Sequence, residues 1–396
     1  MKNRTWLEDS RFSSILVLLV IITIPLGAYR VLTTPLSINN AVVLLVVSIY
    51  SLVLVRMGSF YFSHGQILII GVLSLLSLQT SISSLKNPYF PSMTITYLGY
   101  IFVFFIVSIY SRRHGNVKKV LWFWFISAVI VSHITIFSSI FGFNIGAEFA
   151  KPISALGYKL PFRRTLGVNL GYGGYGMFVL GPLGAFLIYS YIKSSFIYSY
   201  GCVSIVFSVV FISQSRSSWG ALIISLIPIL VYFLWNSDLR QIMMSAIIMG
   251  SPIILILAHR SLGFIISINN RSLTLRITQY LTAVRKMKQN PLLGYGAGDP
   301  DGTGLSYLIH NFFLRTGGSS GTPAFLLIVS LFLIAGTKVI RLAVNANGEE
   351  EMLAVGMASG LLAILVELQF SPGISVSAWV LVALIVSPRN SQLRSS

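Results

Sequence analysis

Between residue 14 and residue 387 one apolar run follows another, each long enough to cross a bilayer. In hydrocarbon no water satisfies a backbone N–H or C=O, so such a run must be a helix of about 17 to 25 residues or a strand of a closed barrel. A barrel needs alternation of period two over about ten residues, and here Leu, Ile, Val and Phe run without interruption. The helical reading places spans near 14–30, 38–55, 66–82, 93–111, 118–141, 172–192, 196–213, 218–235, 241–258, 320–337, 353–370 and 374–388. That makes about twelve transmembrane helices. The expectation is an all-α integral membrane protein, a single polytopic domain over residues 1–396. Glu8 and Asp9 precede the first run and no small-residue cleavage site follows it, so that run reads as a retained helix.

Composition removes the competing classes. Hydrophobic residues make up 55% of the chain and charged residues 10%, with a mean hydropathy of +0.82; a soluble domain carries about a quarter charged residues. A tethered soluble enzyme and a disordered chain are both excluded. The single cysteine, Cys202, lies within an apolar run and cannot support a disulfide framework, a thiolate zinc site or an iron-sulfur cluster. His64, His114, His133 and His259 have no metal-ligand spacing, and neither a phosphate-binding Gly-Lys-Ser/Thr loop nor a Gly-x-Ser-x-Gly elbow occurs. No metal and no cofactor are expected.

Basic residues in short connections orient the helices. With the N-terminus in the cytoplasm, Lys2, Arg4, Arg11, Arg56, Arg112, Arg113, Lys118, Lys119, Lys193, Arg240, Lys338, Arg341, Arg389 and Arg394 lie inside, and both termini are cytoplasmic. Two long connections, 142–171 and 259–319, then face outward. They are strongly basic, with Lys151, Lys159, Arg163 and Arg164 in the first and Arg260, Arg271, Arg276, Arg285, Lys286, Lys288 and Arg315 in the second. A net charge of +18 on a membrane protein points to anionic lipid or diphosphate rather than nucleic acid. A loop that merely rests on headgroups is the plain alternative.

Spacing then selects candidates. From Ser272 to Gln289, apolar Leu273, Ile277, Tyr280, Leu281, Val284 and Met287 mark one helical face, with Arg276, Gln279, Lys286 and Gln289 on the other. This stretch is too polar to span and reads as an amphipathic helix at the outer interface. Packing alone explains its apolar stripe but leaves Arg276 unaccounted for. The following Asn290-Pro291-Leu292-Leu293-Gly294-Tyr295-Gly296-Ala297-Gly298 is a turn whose glycines allow close approach of backbone to a ligand or a second helix. His310-Asn311 stands ahead of the tenth span; alone, such a histidine is more often an interfacial anchor than a base. Arg216, in Ser213-Gln214-Ser215-Arg216-Ser217-Ser218-Trp219, sits between two apolar runs, where an unpaired arginine is costly. Only Glu148, Asp299, Asp301 and Glu367 could neutralise it from the outer side. Arg163-Arg164 precedes Gly171, Gly173, Gly174 and Gly176; the glycines read best as helix packing and the arginines as anion binders.

Taken together, these stretches resemble the O-antigen ligase and polymerase family of bacterial envelope glycosyltransferases. The likeness rests on Ser215-Arg216-Ser217-Ser218-Trp219, on Arg276 followed by Asn290-Pro291-Leu292-Leu293-Gly294-Tyr295-Gly296, and on His310-Asn311 with Gly317-Gly318 and Gly321. Arg163-Arg164-Thr165-Leu166-Gly167 is similar to the family's Arg-x-x-Gly element, with either arginine eligible. The resemblance implies a GT-C-like membrane fold in the bacterial inner membrane, with the active site on the periplasmic face. It implies a metal-independent, inverting transfer of glycan from undecaprenyl diphosphate. Arg216 and Arg276 would clamp the diphosphate and His310 would act as base, with Arg163, Arg164, Asn311 and Arg285 binding substrate. The acceptor would be a lipid-linked repeat unit, in a polymerase, or lipid A-core, in a ligase; polymerase is placed first. Membrane lipids and a chain-length regulator are further partners it implies. A lipid-linked oligosaccharide transporter is the alternative from another class, but residues 1–195 and 196–396 show no repeat relating them.

Overall fold

Where the chain is apolar without interruption, its backbone hydrogen bonds close within each segment, and helices result. The computed structural model describes residues 10–26, 41–46, 48–49, 64–83, 90–111, 116–141, 151–155, 158–164, 171–193, 195–213, 215–235, 270–295, 309–371 and 374–387. The elements that build the bundle are α1 (Ser10–Thr23), α2 (His64–Ser83), α3 (Phe90–Tyr110), α4 (Asn116–Phe141), α5 (Gly171–Leu180), α6 (Leu183–Lys193) and α7 (Phe196–Phe207). They continue with α8 (Arg216–Trp235), α9 (Asn270–Gln289), α10 (Phe312–Asn345), α11 (Glu349–Phe370) and α12 (Val376–Val386). Among the described residues six stretches are long and apolar enough to cross a membrane, namely Gly65–Ile82, Asn116–Phe141, Phe196–Ser213, Ser217–Trp235, Phe312–Asn345 and Glu349–Phe370. The protein is a helical, multi-pass membrane protein. The expected span at 241–258 lies outside the described residues, and so do 142–150, 165–170, 259–269 and 296–308 of the two long connections.

Three features differ from the expected elements. The run 172–192 is two helices, because Gly181 and Pro182 form a turn between α5 and α6, and proline supplies no N–H to continue the first helix. The run 320–337 is only the middle of α10, which starts at Phe312 and kinks at Gly321, where the backbone is non-helical (φ 88, ψ 171) ahead of Pro323. Within the first long connection, β1 (Lys151–Ala155) and β2 (Tyr158–Arg164) pair as an antiparallel hairpin, with Lys151 opposite Arg164 and Ala155 opposite Tyr158.

At the centre stands α11, packed against α8, α10, α5 and α6. Its Gly356 faces Ala185 and its Gly360 faces the carbonyl of Gly181 so closely that any Cβ would collide. Helices in lipid associate through such small-residue contacts because apolar burial gives them little. One end of α11 is tied down by Glu349, which pairs with Lys118 of α4 and accepts a hydrogen bond from the Tyr189 hydroxyl of α6 at 2.6 Å. The helix then rises about 33 Å over its 22 residues, roughly the depth of a bilayer's hydrocarbon core. Its other end carries Glu367, Leu368, Gln369 and Phe370.

Candidate functional site

Arg216 is the first residue of α8, and the residues around it explain how its turn is held. The preceding segment Ser208–Ser213 is wound as a π-helix, a local widening that leaves carbonyls without their usual partners. Trp219 supplies one: its indole N–H lies 3.3 Å from the Val209 oxygen and 3.2 Å from that of Val210. The hydroxyls of Ser215 and Ser217 share a hydrogen bond of 2.9 Å, and Ser218 donates its hydroxyl to the Glu367 carboxylate on α11. A Cβ at Gly176 of α5 would strike that carboxylate. This glycine therefore makes room for an acid, beyond the general helix packing expected for the glycines near it.

On the far side, α9 is amphipathic in a sense opposite to a soluble helix. Gln279, Ala283 and Lys286 are buried against the protein, whereas Ile277 and Leu281 are 50% and 61% exposed. An apolar stripe turned away from the bundle suits a helix whose outer side meets lipid. The turn after α9 is locked into the kink of α10. The Tyr295 N–H donates to the Gly318 oxygen at 3.1 Å, and the Thr322 N–H donates to the Pro291 oxygen at 2.8 Å. Gln79 of α2 donates its amide to the Ser320 oxygen at 2.9 Å and also to the Leu292 oxygen. Gly294 (φ 62) and Gly321 (φ 88) both have left-handed backbones, and a Cβ on either would run into the other's segment. The glycine-punctuated turn thus approaches a second helix, one of the two possibilities its sequence left open.

This latch sets Arg276 on α9 relative to His310, which stands two residues ahead of α10. The guanidinium of Arg276 lies 5.5 Å from the centroid of the Phe370 ring, at the end of α11. His310 is half-buried, and its pKa is lowered from the ordinary 6.5, first by burial and then by the charges of Arg276 and Arg315. At neutral pH the imidazole is therefore uncharged and able to accept a proton. Asn311, buried, caps α10: its side-chain oxygen accepts from the Leu314 N–H at 2.9 Å. Its amide nitrogen donates to Oε1 of Gln369 at 2.8 Å.

The candidates from the sequence separate accordingly. His310, Asn311 and Arg276 come together at the Phe370 end of α11, and the Arg216 turn meets the same end through Ser218 and Glu367. Arg163 and Arg164 stand on β2, which packs against α4 and the π turn that leads to Arg216. Arg285 does not join them. Nine residues beyond Arg276, it is exposed, about 13 Å along the helix and half a revolution round it.

Three residues were not singled out as site candidates in the sequence. Glu367 is fully buried, with its second oxygen unpartnered among the described residues; a carboxylate inside an apolar run is itself a functional signal. Gln279, one turn from Arg276, is fully buried and its amide also lacks a partner among the described residues. Gln369 leaves no signal in the sequence, because what distinguishes it is a neighbour 58 positions away.

A comparison with curated proteins finds no match to the chain. A family model described as O-antigen ligase matches residues 201–329, the segment running from α7 through the Arg216 turn, α9 and His310 into α10. That match makes this segment similar to the O-antigen ligase family and agrees with the resemblance carried by the Arg216, Arg276 and His310 stretches.

Proposed function

We propose that the protein is a metal-independent glycosyltransferase that moves a glycan from undecaprenyl diphosphate onto a hydroxyl of a second glycan. The observation that carries this reading is the gathering of His310-Asn311 and Arg276 at one end of a helical membrane bundle, where Asn311 bonds to Gln369 and Arg276 lies against Phe370. Burial and the charges of Arg276 and Arg315 lower the His310 pKa, which suits a base. A lipid diphosphate leaving group is densely anionic, and guanidinium groups neutralise it bidentately where other enzymes use a divalent cation. Arg276 and Arg216 form that clamp, and Arg163 or Arg164 of the hairpin adds to it. His310 takes the proton of the acceptor hydroxyl as its oxygen attacks the anomeric carbon. The bond from that carbon to the diphosphate oxygen breaks on the opposite face, so the anomeric centre inverts and undecaprenyl diphosphate leaves.

The remaining parts of the proposal concern placement. The bundle has about twelve spans of GT-C type, lies in the inner membrane with both termini in the cytoplasm, and opens its site to the periplasm. The apolar stripe of α9, exposed at Ile277 and Leu281, supports a helix resting at headgroup depth, where it would hold Arg276 level with a lipid diphosphate.

The acceptor separates two readings. A polymerase adds the chain to another lipid-linked repeat unit, whereas a ligase adds it to lipid A-core, and the description of the matching family model favours the second. Both use the same clamp and base. The test of the shared chemistry is transfer by the purified chain in vesicles supplied with an undecaprenyl-diphosphate glycan and an acceptor. His310→Ala is expected to lower turnover about 10²- to 10⁴-fold; undiminished transfer would rule the reading out. In a lipopolysaccharide-producing host, deletion of the gene then distinguishes the acceptors. Core capped by a single repeat means polymerase, and uncapped core with long chains left on the carrier means ligase.

A further inference from the structure

Four consecutive residues at the end of α11 touch or adjoin each element that carries a proposed catalytic group. Glu367 receives the Ser218 hydroxyl, two residues from Arg216. Gln369 accepts from Asn311, the neighbour of His310, at 2.8 Å, and its backbone oxygen lies 3.3 Å from the hydroxyl of Tyr280, one turn beyond Arg276. Phe370 lies beside the Arg276 guanidinium, with 5.5 Å from its ring centroid to the guanidinium carbon. The elements so joined lie far apart in sequence and are brought together by α11. A helix that is itself packed along its middle through Gly356 and Gly360 is a firm reference for all of them.

We propose that the last turn of α11 is a positioning element of the site, in which Gln369 sets the placement of His310 by holding Asn311. This rests on the reading of His310 as the base. Asn311 alone can cap α10 with its oxygen, but the cap leaves the approach angle of the preceding residue free. The second bond, from its amide nitrogen to Gln369, fixes the Asn311 side chain at both ends and ties the chain before α10 to α11. The imidazole next to it is then held beside Arg276, which leans on the following ring of the same turn. Base and clamp thereby share one support. Gln369 itself is exposed, and its side chain is not part of the apolar packing, so its replacement should alter placement more than folding.

The experiment compares wild type, Gln369→Met, Gln369→Glu and His310→Ala, each purified as the full chain in vesicles and assayed across pH with saturating lipid-diphosphate donor. Gln369→Met has nearly the same shape but cannot accept the Asn311 bond. It is expected to lower kcat about tenfold with KM changed less than about twofold, the mark of a group acting at the transition state. Gln369→Glu keeps the acceptor oxygen and adds a negative charge near the imidazole. It should restore most of the rate at its plateau and move the acid limb of the profile upward by about half a pH unit, since a nearby anion favours the protonated imidazole. Wild-type kcat in Gln369→Met, or a loss that Gln369→Glu neither rescues nor displaces in pH, overturns the inference. A full rate in His310→Ala overturns the underlying assignment of the base, whatever the Gln369 variants do.

Discussion

The two ends of α11 use charge in opposite ways. At the Glu349 end a carboxylate meets the Lys118 ammonium and the Tyr189 hydroxyl, and both ionic side chains are about half exposed. That cluster is complete: each charge has its counterpart, and water is at hand. At the Phe370 end the carboxylate is fully buried and bound by a serine hydroxyl, while Arg276 has no carboxylate partner among the described residues and lies against an aromatic ring. Close by is an imidazole kept neutral. Compensated charge ties helices together, whereas a guanidinium set against a ring, with no carboxylate beside it among the described residues, suits an anion that the protein does not itself supply. One helix carries both arrangements, separated by about the thickness of the hydrocarbon core.

Substitution at the two ends should therefore differ sharply. The largest effect is expected at Arg276: Arg276→Ala should reduce glycan transfer about 10²- to 10³-fold, measured as turnover in vesicles, and a rate near wild type would remove the contrast between the ends. Next comes the latch that positions α9. Gly294→Ala places a side chain on a left-handed backbone, which costs about 1–2 kcal/mol, and sets its Cβ against the Ser319 and Gly321 backbone. Transfer should fall about tenfold along with the thermal midpoint of the detergent-solubilised protein, whereas Gly336→Ala, where nothing lies within 4 Å, should alter neither.

A smaller, signed effect is expected from Arg315→Gln. Its charge is one of the causes that depress the His310 pKa below 6.5. Removing it lets that pKa rise, so the proton is held to higher pH and the acid limb of the rate profile moves upward by a fraction of a unit, with the plateau rate largely retained. A limb that stays put or moves down would contradict the assignment of His310 as the titrating base. The smallest effect belongs to Lys118→Met at the other end. A half-exposed ion pair contributes about 0–1 kcal/mol, so the thermal midpoint should shift only slightly and turnover should not change; a large loss of transfer would mean that the two ends are coupled.

Much of the helical architecture was legible because hydrocarbon allows so few solutions. The spans expected at 66–82, 93–111, 118–141, 196–213 and 353–370 fall on helices with bounds close to those read from apolar runs. The elements that escaped the pattern are those that hydropathy does not encode. Pro182 cuts one apolar run in two, Gly321 kinks another, and the hairpin over 151–164 is made by backbone pairing in a stretch whose apolar content marks no helix. At the site, Arg276 and His310 stood out because a cation or an imidazole beside a membrane span needs a reason. Arg285 has the same chemistry and the same helix, but its position round that helix turns it away, which a list of basic residues does not reveal.

What the sequence determined alone is therefore set by local physics: where the backbone must be helical, where charge accumulates, and which polar residues interrupt apolar runs. Neighbourhood was decided only by the tertiary structure. The periodicity of α9 separates an apolar from a polar face but does not say which one meets the bundle: Gln279 and Lys286 are buried and the apolar Ile277 and Leu281 are turned outward, because the surroundings of a membrane helix reverse the preference that holds in water. The link from Gln369 to Asn311 and the room that Gly176 leaves for Glu367 likewise have no local signature. They exist because α11 crosses the bundle and ends among three segments distant in sequence, and only packing in three dimensions brings such groups within reach of one another.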